Sequence, residues 1–213
     1  MKYLIKLIIL SILVIQISCE TIVESKYETI KIENQVWMSE NLNIDKFNNG
    51  DPIPEAKSSE EWRLAGENEQ PAWCYFDNDP VNGKKYGKLY NWYAVNDPRG
   101  IAPSGFHIPN NDEWEVLMNN LGGQSMAGIK MKSTAGWEEN GNGNNESGFN
   151  AFPSGSRSGN GRFANFGLRG YWWSSNDYNE IFSWVHKVVY NEDYLDRYTN
   201  PKTSGFSVRC LKD

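Results

Sequence analysis

The side chains with chemistry to offer in this sequence are three cysteines, two histidines and a few oxygen-rich loops, and their spacing narrows what they can do. His107 and His186 make no pair at i, i+4 and sit in no His-plus-carboxylate ligand spacing. Iron and zinc chemistry is therefore unsupported, and each histidine reads as a satisfied structural side chain. Asp77-Asn78-Asp79-Pro80-Val81-Asn82-Gly83 is rich in oxygens, but a calcium loop of the EF-hand type needs alternating oxygen ligands followed by Gly. Val81 and Asn82 break that register, so an Asn-Gly turn is expected there. No serine stands in a G-x-S-x-G elbow, and Gly159-Asn160-Gly161 lacks the strand-to-helix junction of a phosphate cradle. No catalytic residue, metal ligand or cofactor is assigned.

Sugar recognition is the chemistry that composition favours. Sugars present apolar C–H faces and many hydroxyls, so their sites pair an exposed aromatic ring with Asn, Asp, Glu or Arg. Among nine Trp, eleven Tyr and nine Phe, the nine Trp exceed what one core of this size takes up, so a few of them are expected to be partly exposed. Trp172, Trp173, Asn176 and Asp177, with Arg157 and Arg162 of a Gly-rich meander, are the candidate ligand-binding residues. In the competing arrangement Trp172 and Trp173 lie on opposite faces of one strand and each packs a core. A surface for protein partners would use the same exposed aromatics.

The compartment follows from the first residues. Lys2 and Lys6 precede an apolar run from Leu7 to Ile15 that is short for a membrane span and has the form of an export signal. Ser18-Cys19 after it has the form of a lipoprotein cleavage site, which makes Cys19 the expected lipidation site. The expected organisation is a signal peptide at 1–18, a lipidated tether at 19–26 and a single domain at 27–213. Without the leader, 27 acids face 19 bases, a net charge of −8, which disfavours nucleic acid as a partner. Outside the reducing cytosol, Cys74 and Cys210 are expected to form a disulfide, with two buried free thiols as the alternative.

The elements that must position these residues are legible from periodicity. Residues 27–38 alternate about Glu33-Asn34 as a β-hairpin. Ser58 to Ala65 reads as a short helix capped by Ser58 or Ser59, and residues 87–96 as another helical stretch. The clearest segment is Gly105 to Gly123. Phe106 and Ile108 alternate as a strand, Pro109 stops it, and Asn110 or Asn111 caps a helix whose Trp114, Leu117, Met118 and Leu121 form one apolar stripe. Met126 to Lys132 is a weak helical turn, and Glu138 to Ser147 a mobile loop. Asn160-Gly161 signals a hairpin, and strands are expected at Gly170 to Ser175, Phe182 to Tyr190 and Gly205 to Leu211. Alternation along 182–190 places Trp184, His186, Val188 and Tyr190 on one face.

QVWMSENLN, PAWCYFDNDPVNGKKYGKLYNWYAVND, GFHIPNNDEW, NESGFNAFPSGSR, GYWWSSN and GFSVRC, in that order, resemble the Fibrobacter succinogenes major paralogous domain family (FISUMP) over about residues 28–212. That resemblance implies an exported protein, often a lipoprotein, with no established activity. The family resembles, more loosely, the C-type-lectin-like fold shared with the formylglycine-generating sulfatase-modifying group. This implies an α+β fold with two main helices on a curled, mostly antiparallel sheet, a long loop region and neighbouring chain ends. Of the cysteine pair used by formylglycine-generating enzymes, Cys210 has a counterpart but Gly205 occupies its partner's place, so that copper-thiolate chemistry is not implied. The calcium-dependent lectin loop is also unmatched, because Ile108-Pro109-Asn110 begins the helix and the Trp173-to-Asp177 segment is two residues longer. The expected protein is a membrane-anchored envelope lipoprotein, at the outer membrane or cell surface. It carries a non-catalytic binding module for carbohydrate or another surface ligand, with an adhesin-like subunit for protein partners as the alternative.

Overall fold

Strand β1 (Thr29–Ile32) turns back into β2 (Gln35–Met38) through Glu33, which accepts a left-handed φ of 53°. The structure is a computed structural model and describes residues 27–213, so the leader, Cys19 and the tether at 19–26 lie outside the described residues. The first hairpin is joined by the end of the chain. β11 (Leu211–Lys212) inserts between β2 and β5 (Phe106–His107), giving a sheet of order β1-β2-β11-β5. A second sheet has the order β10-β9-β8, from β8 (Arg169–Asp177), β9 (Phe182–Val189) and β10 (Asp196–Pro201). Two short antiparallel pairs, β3 (Trp73–Cys74) with β4 (Leu89–Tyr90) and β6 (Ser154–Arg157) with β7 (Phe163–Phe166), complete an α+β architecture. The second pair is the hairpin signalled by Asn160-Gly161.

Among the described residues, five short α-helices accompany the sheets. Capping boxes start two of them: Ser58 with Glu61 on α1 (Ser59–Glu67), and Asn110 with Glu113 on α4 (Asn111–Asn120). The oxygen-rich loop departs from expectation. Asp79 caps α2 (Pro80–Tyr86), so Asn82-Gly83 lies inside a helix and not in a turn. Pro80 is well placed at a first helical position, and Gly83 has no side chain because the Tyr75 ring packs directly on it. The stretch at 87–96 likewise divides into β4 and a single turn, α3 (Trp92–Val95), capped by Asn91. The weak turn after α4 becomes α5 (Gln124–Met131). The 138–147 segment is tied down instead of free, since the amides of Gly143 and Asn144 donate to Ser133 and Ile129 at 3.0 and 3.1 Å.

The β10-β9-β8 sheet is packed on both faces. Tyr171, Trp173 and Val185 enter one hydrophobic cluster with Tyr90, Trp92 and Phe206. Trp172 and Val188 enter another with Trp37, Trp114, Leu117 and Phe149. The period of two along a strand divides neighbouring residues in this way.

The expected disulfide is absent: Cys74 and Cys210 are both free and buried. Cys74 lies on β3 in a small cluster under α1 with Trp62 and Leu89, whereas Cys210 belongs to the main cluster. The final segment pairs with β2, whose Met38 amide donates to the Cys210 carbonyl at 3.0 Å, and not with β3. Burial pushes both thiols up to about 12, so they stay protonated and inert.

Trp114 touches Trp37, Phe149, Trp172 and His186, with ring centres between 4.6 and 6.3 Å apart. Trp114→Ala is expected to lower stability by about 3 to 5 kcal/mol. Glu115→Ala, on the exposed side of the same helix, should change it little. Chemical denaturation of the two variants checks this, and equal small shifts would mean that α4 is not held by its apolar stripe.

Candidate functional site

The six residues singled out for ligand binding do not form one surface. Trp172 and Trp173 are fully buried, and their indole N–H groups donate to Asn41 Oδ1 and the Tyr90 carbonyl, both at 2.8 Å. They are core residues on opposite strand faces and offer no platform. Arg157 is buried as well; its guanidinium donates to the carbonyls of Ala56, Ser58 and Gly161 and lies over the Trp62 and Phe163 rings. It pins the meander to the start of α1. Arg162 is exposed on the hairpin, and Asp177 pairs with Lys202 at 2.9 Å. Asn176 alone reaches a cavity wall, because its Oδ1 accepts from the Asn111 amide at 2.6 Å.

That cavity, of about 240 Å³, lies between α4 and the β9–β10 side of the β10-β9-β8 sheet. Asn111, Trp114, Glu115 and Met118 come from α4, spaced by helical periodicity. Gln124 comes from the start of α5, His186 from β9, and Leu195 and Arg197 from the β10 side. The cross-strand register places Trp172 and Arg197 on either side of His186. The His186 ring stacks on Trp114, with centroids 4.6 Å apart and planes inclined by 15°.

Three wall residues carry buried polar atoms without a hydrogen-bond partner: Asn111 Oδ1, Trp114 Nε1 and His186 Nδ1. One acceptor, one donor and one imidazole nitrogen thus belong to residues of one cavity wall, each atom itself covered from solvent. Each such group left unpaired costs about 1–3 kcal/mol, so their concentration on these three residues is a structural expense. His186 is not the satisfied side chain expected of it. Burial, aided by the Arg197 cation, depresses its pKa to about 3, so the ring is neutral at physiological pH. No carboxylate is bonded to His186, and the Glu115 carboxylate lies on the helical wall. Met118 and Leu195 add apolar surface, and Glu115, Gln124 and Arg197 add planar polar groups.

Sequence periodicity did place Trp184 and His186 on one strand face and Trp114 on the buried side of α4. The Arg197 contribution was missed because residues 196–201 lack the alternation of a strand. Among the described residues no cluster of three or more His, Cys, Asp or Glu side chains is placed to hold a metal ion, and no helix is long and apolar enough to cross a membrane.

Fold and cavity together define a small aromatic-cored α+β domain with a polar-walled cavity at a helix–sheet junction. The chain belongs to the Fibrobacter succinogenes major domain family, whose model matches residues 30–212. No curated protein and no solved structure matches it.

The other histidine sets α4 in place. His107 Nδ1 lies 2.7 Å from Asp213 Oδ1 and Nε2 lies 2.8 Å from Glu113 Oε1, while Glu113 Oε2 accepts from the Asn110 amide in the capping box. Burial pulls the imidazole pKa down, but the two carboxylates outweigh it and the net direction is up. A raised folded pKa gives stabilisation that is complete below about 6.5, the unfolded value, and fades as pH rises through the folded value. His107→Gln is therefore expected to lower the melting temperature at pH 5.5 and to approach the parent protein at alkaline pH. A pH-independent difference in thermal melts would refute it.

Proposed function

We propose that this domain is a non-catalytic carbohydrate-binding module at the bacterial cell envelope and that its ligand occupies the cavity between α4 and the β10-β9-β8 sheet. The observation that carries this reading is that three residues with an unpaired buried polar atom, Asn111, Trp114 and His186, line one space. A polyhydroxyl ring both donates and accepts, so it can serve an unpaired acceptor and an unpaired donor at once. The cavity of about 240 Å³ lies just under the ~300–1,000 Å³ usual for drug-sized ligands, which suits one sugar ring. The C-type-lectin-like likeness belongs to the same proposal. It is supported by first and last strands that share a sheet and by a helix laid across a second sheet.

Asn111→Ala and Glu115→Ala are expected to weaken sugar binding about tenfold each, the effect of losing one hydrogen bond, without lowering the melting temperature by more than a few degrees. A glycan array followed by calorimetric titration of the parent and the two variants checks this; binding that ignores both substitutions would place the site elsewhere. A second reading, an adhesin-like subunit for protein partners, is favoured by the exposed Tyr178 and Ile181 at the β8–β9 tip, which are 55% and 64% accessible. Loss of surface adhesion on Ile181→Asp, with an empty glycan array, would select it.

The same proposal places the chain on the membrane through a lipid on Cys19, supported by the apolar run from Leu7 to Ile15 that precedes it. Two acyl chains suffice for stable anchoring, whereas one does not. Cys19→Ala is expected to move the protein from the detergent phase to the aqueous phase, and unchanged partitioning would exclude this anchor.

A further inference from the structure

Resting on the carbohydrate reading, we propose that the cavity selects an acidic sugar and that Arg197 holds its carboxylate. Arg197 faces His186 in the β9–β10 register and lines the cavity. Its guanidinium carbon lies 4.9 Å from the centre of the Trp184 ring, and Tyr178 braces that ring edge-on at 5.1 Å. Stacking occupies the flat face of a guanidinium and leaves its N–H edge open, and that rigid fork matches a planar carboxylate in two parallel hydrogen bonds.

Nothing in the described chain takes up that edge. Asp196, beside Arg197, is paired with Lys187 at 3.2 Å, and Asp177 on the β8 side is paired with Lys202 at 2.9 Å. Among the described residues Arg197 makes no ion pair or hydrogen bond, and its ring contact with Trp184 is what holds it. His186 is neutral, so the cation on the cavity wall is Arg197 alone. Glu115 on the opposite, helical wall has no cationic partner and is exposed, placed to accept hydroxyl protons from the ligand's other edge. Gln124, which lines the same cavity, adds a side-chain amide. A ring with a carboxylate at one end and hydroxyls around it, a uronic acid, uses each of these groups.

The test is calorimetric or NMR titration of the mature protein with matched ligands: galactose against galacturonate, glucose against glucuronate, and galactose 6-sulfate. The uronates are expected to bind at least about tenfold more tightly than their neutral partners, the scale of one charge-assisted pair. Added salt should narrow that gap. Arg197→Gln, at an exposed position, is expected to erase the preference while leaving the melting temperature unchanged. Equal binding of acid and neutral partners, or a preference that survives Arg197→Gln, overturns this assignment and leaves the carbohydrate reading standing. A stronger response to sulfate than to uronate overturns the carboxylate. Failure of every sugar to bind overturns both.

Discussion

A guanidinium buried without a carboxylate is the constraint around which the domain closes. Arg209 is inaccessible to solvent; it donates to Asn41 Oδ1 through Nε and Nη2, at 3.1 and 2.8 Å, and through Nη1 to the carbonyls of Met38 and Phe149. Burial lowers its pKa to about 9, which still leaves it charged at neutral pH. Desolvating such an ion costs several kcal/mol unless its donors are satisfied, so the carbonyls of β2 and of the 149 segment must be held where they are. Asn41 extends the constraint. The same Oδ1 accepts from Trp172, and its amide nitrogen donates to the Tyr86 carbonyl and to Ser207, so one side chain ties the chain end to the second sheet and to α2. The Phe149 ring lies 4.3 Å from the guanidinium and closes the site against water.

From this hub the packing spreads to both faces of the β10-β9-β8 sheet. Trp172, fixed by Asn41, sets the depth at which Trp114 of α4 docks, and Trp114 in turn stacks on His186. The aromatic column continues to His186 on β9, beside β10, the edge strand of the sheet. The cavity lies at that boundary. Its unpaired polar atoms belong to residues whose apolar bodies are committed to the column, so the helix cannot shift to satisfy them without breaking the packing. This couples a stable core to an unsatisfied site, a combination that serves recognition better than stability.

Much of the local structure was legible in the chain. The turn at Glu33-Asn34, the two capping boxes, the stripe of α4 and the hairpin at Asn160-Gly161 follow from backbone preference and side-chain period, which act within a few residues. The placement of Trp172 and Trp173 on opposite faces of a strand was the alternative to their use as a binding platform, and it is the arrangement found. The order of its motifs also carried the family, borne out over residues 30–212. What periodicity could not supply is what covers each face. Arg157 and Arg209 would be solvated by default, since buried charges are rare; they are buried because carbonyls from segments far away in the chain converge on them. Cys74 and Cys210 were expected to pair but fall in different clusters, because the last strand pairs with β2. The cavity is likewise a product of four separate segments, α4, α5, β9 and β10, meeting at a sheet edge. Short-range preferences therefore determined the elements and the family, whereas burial, pairing and the site were decided by contacts between residues distant in sequence, which only the tertiary fold brings together.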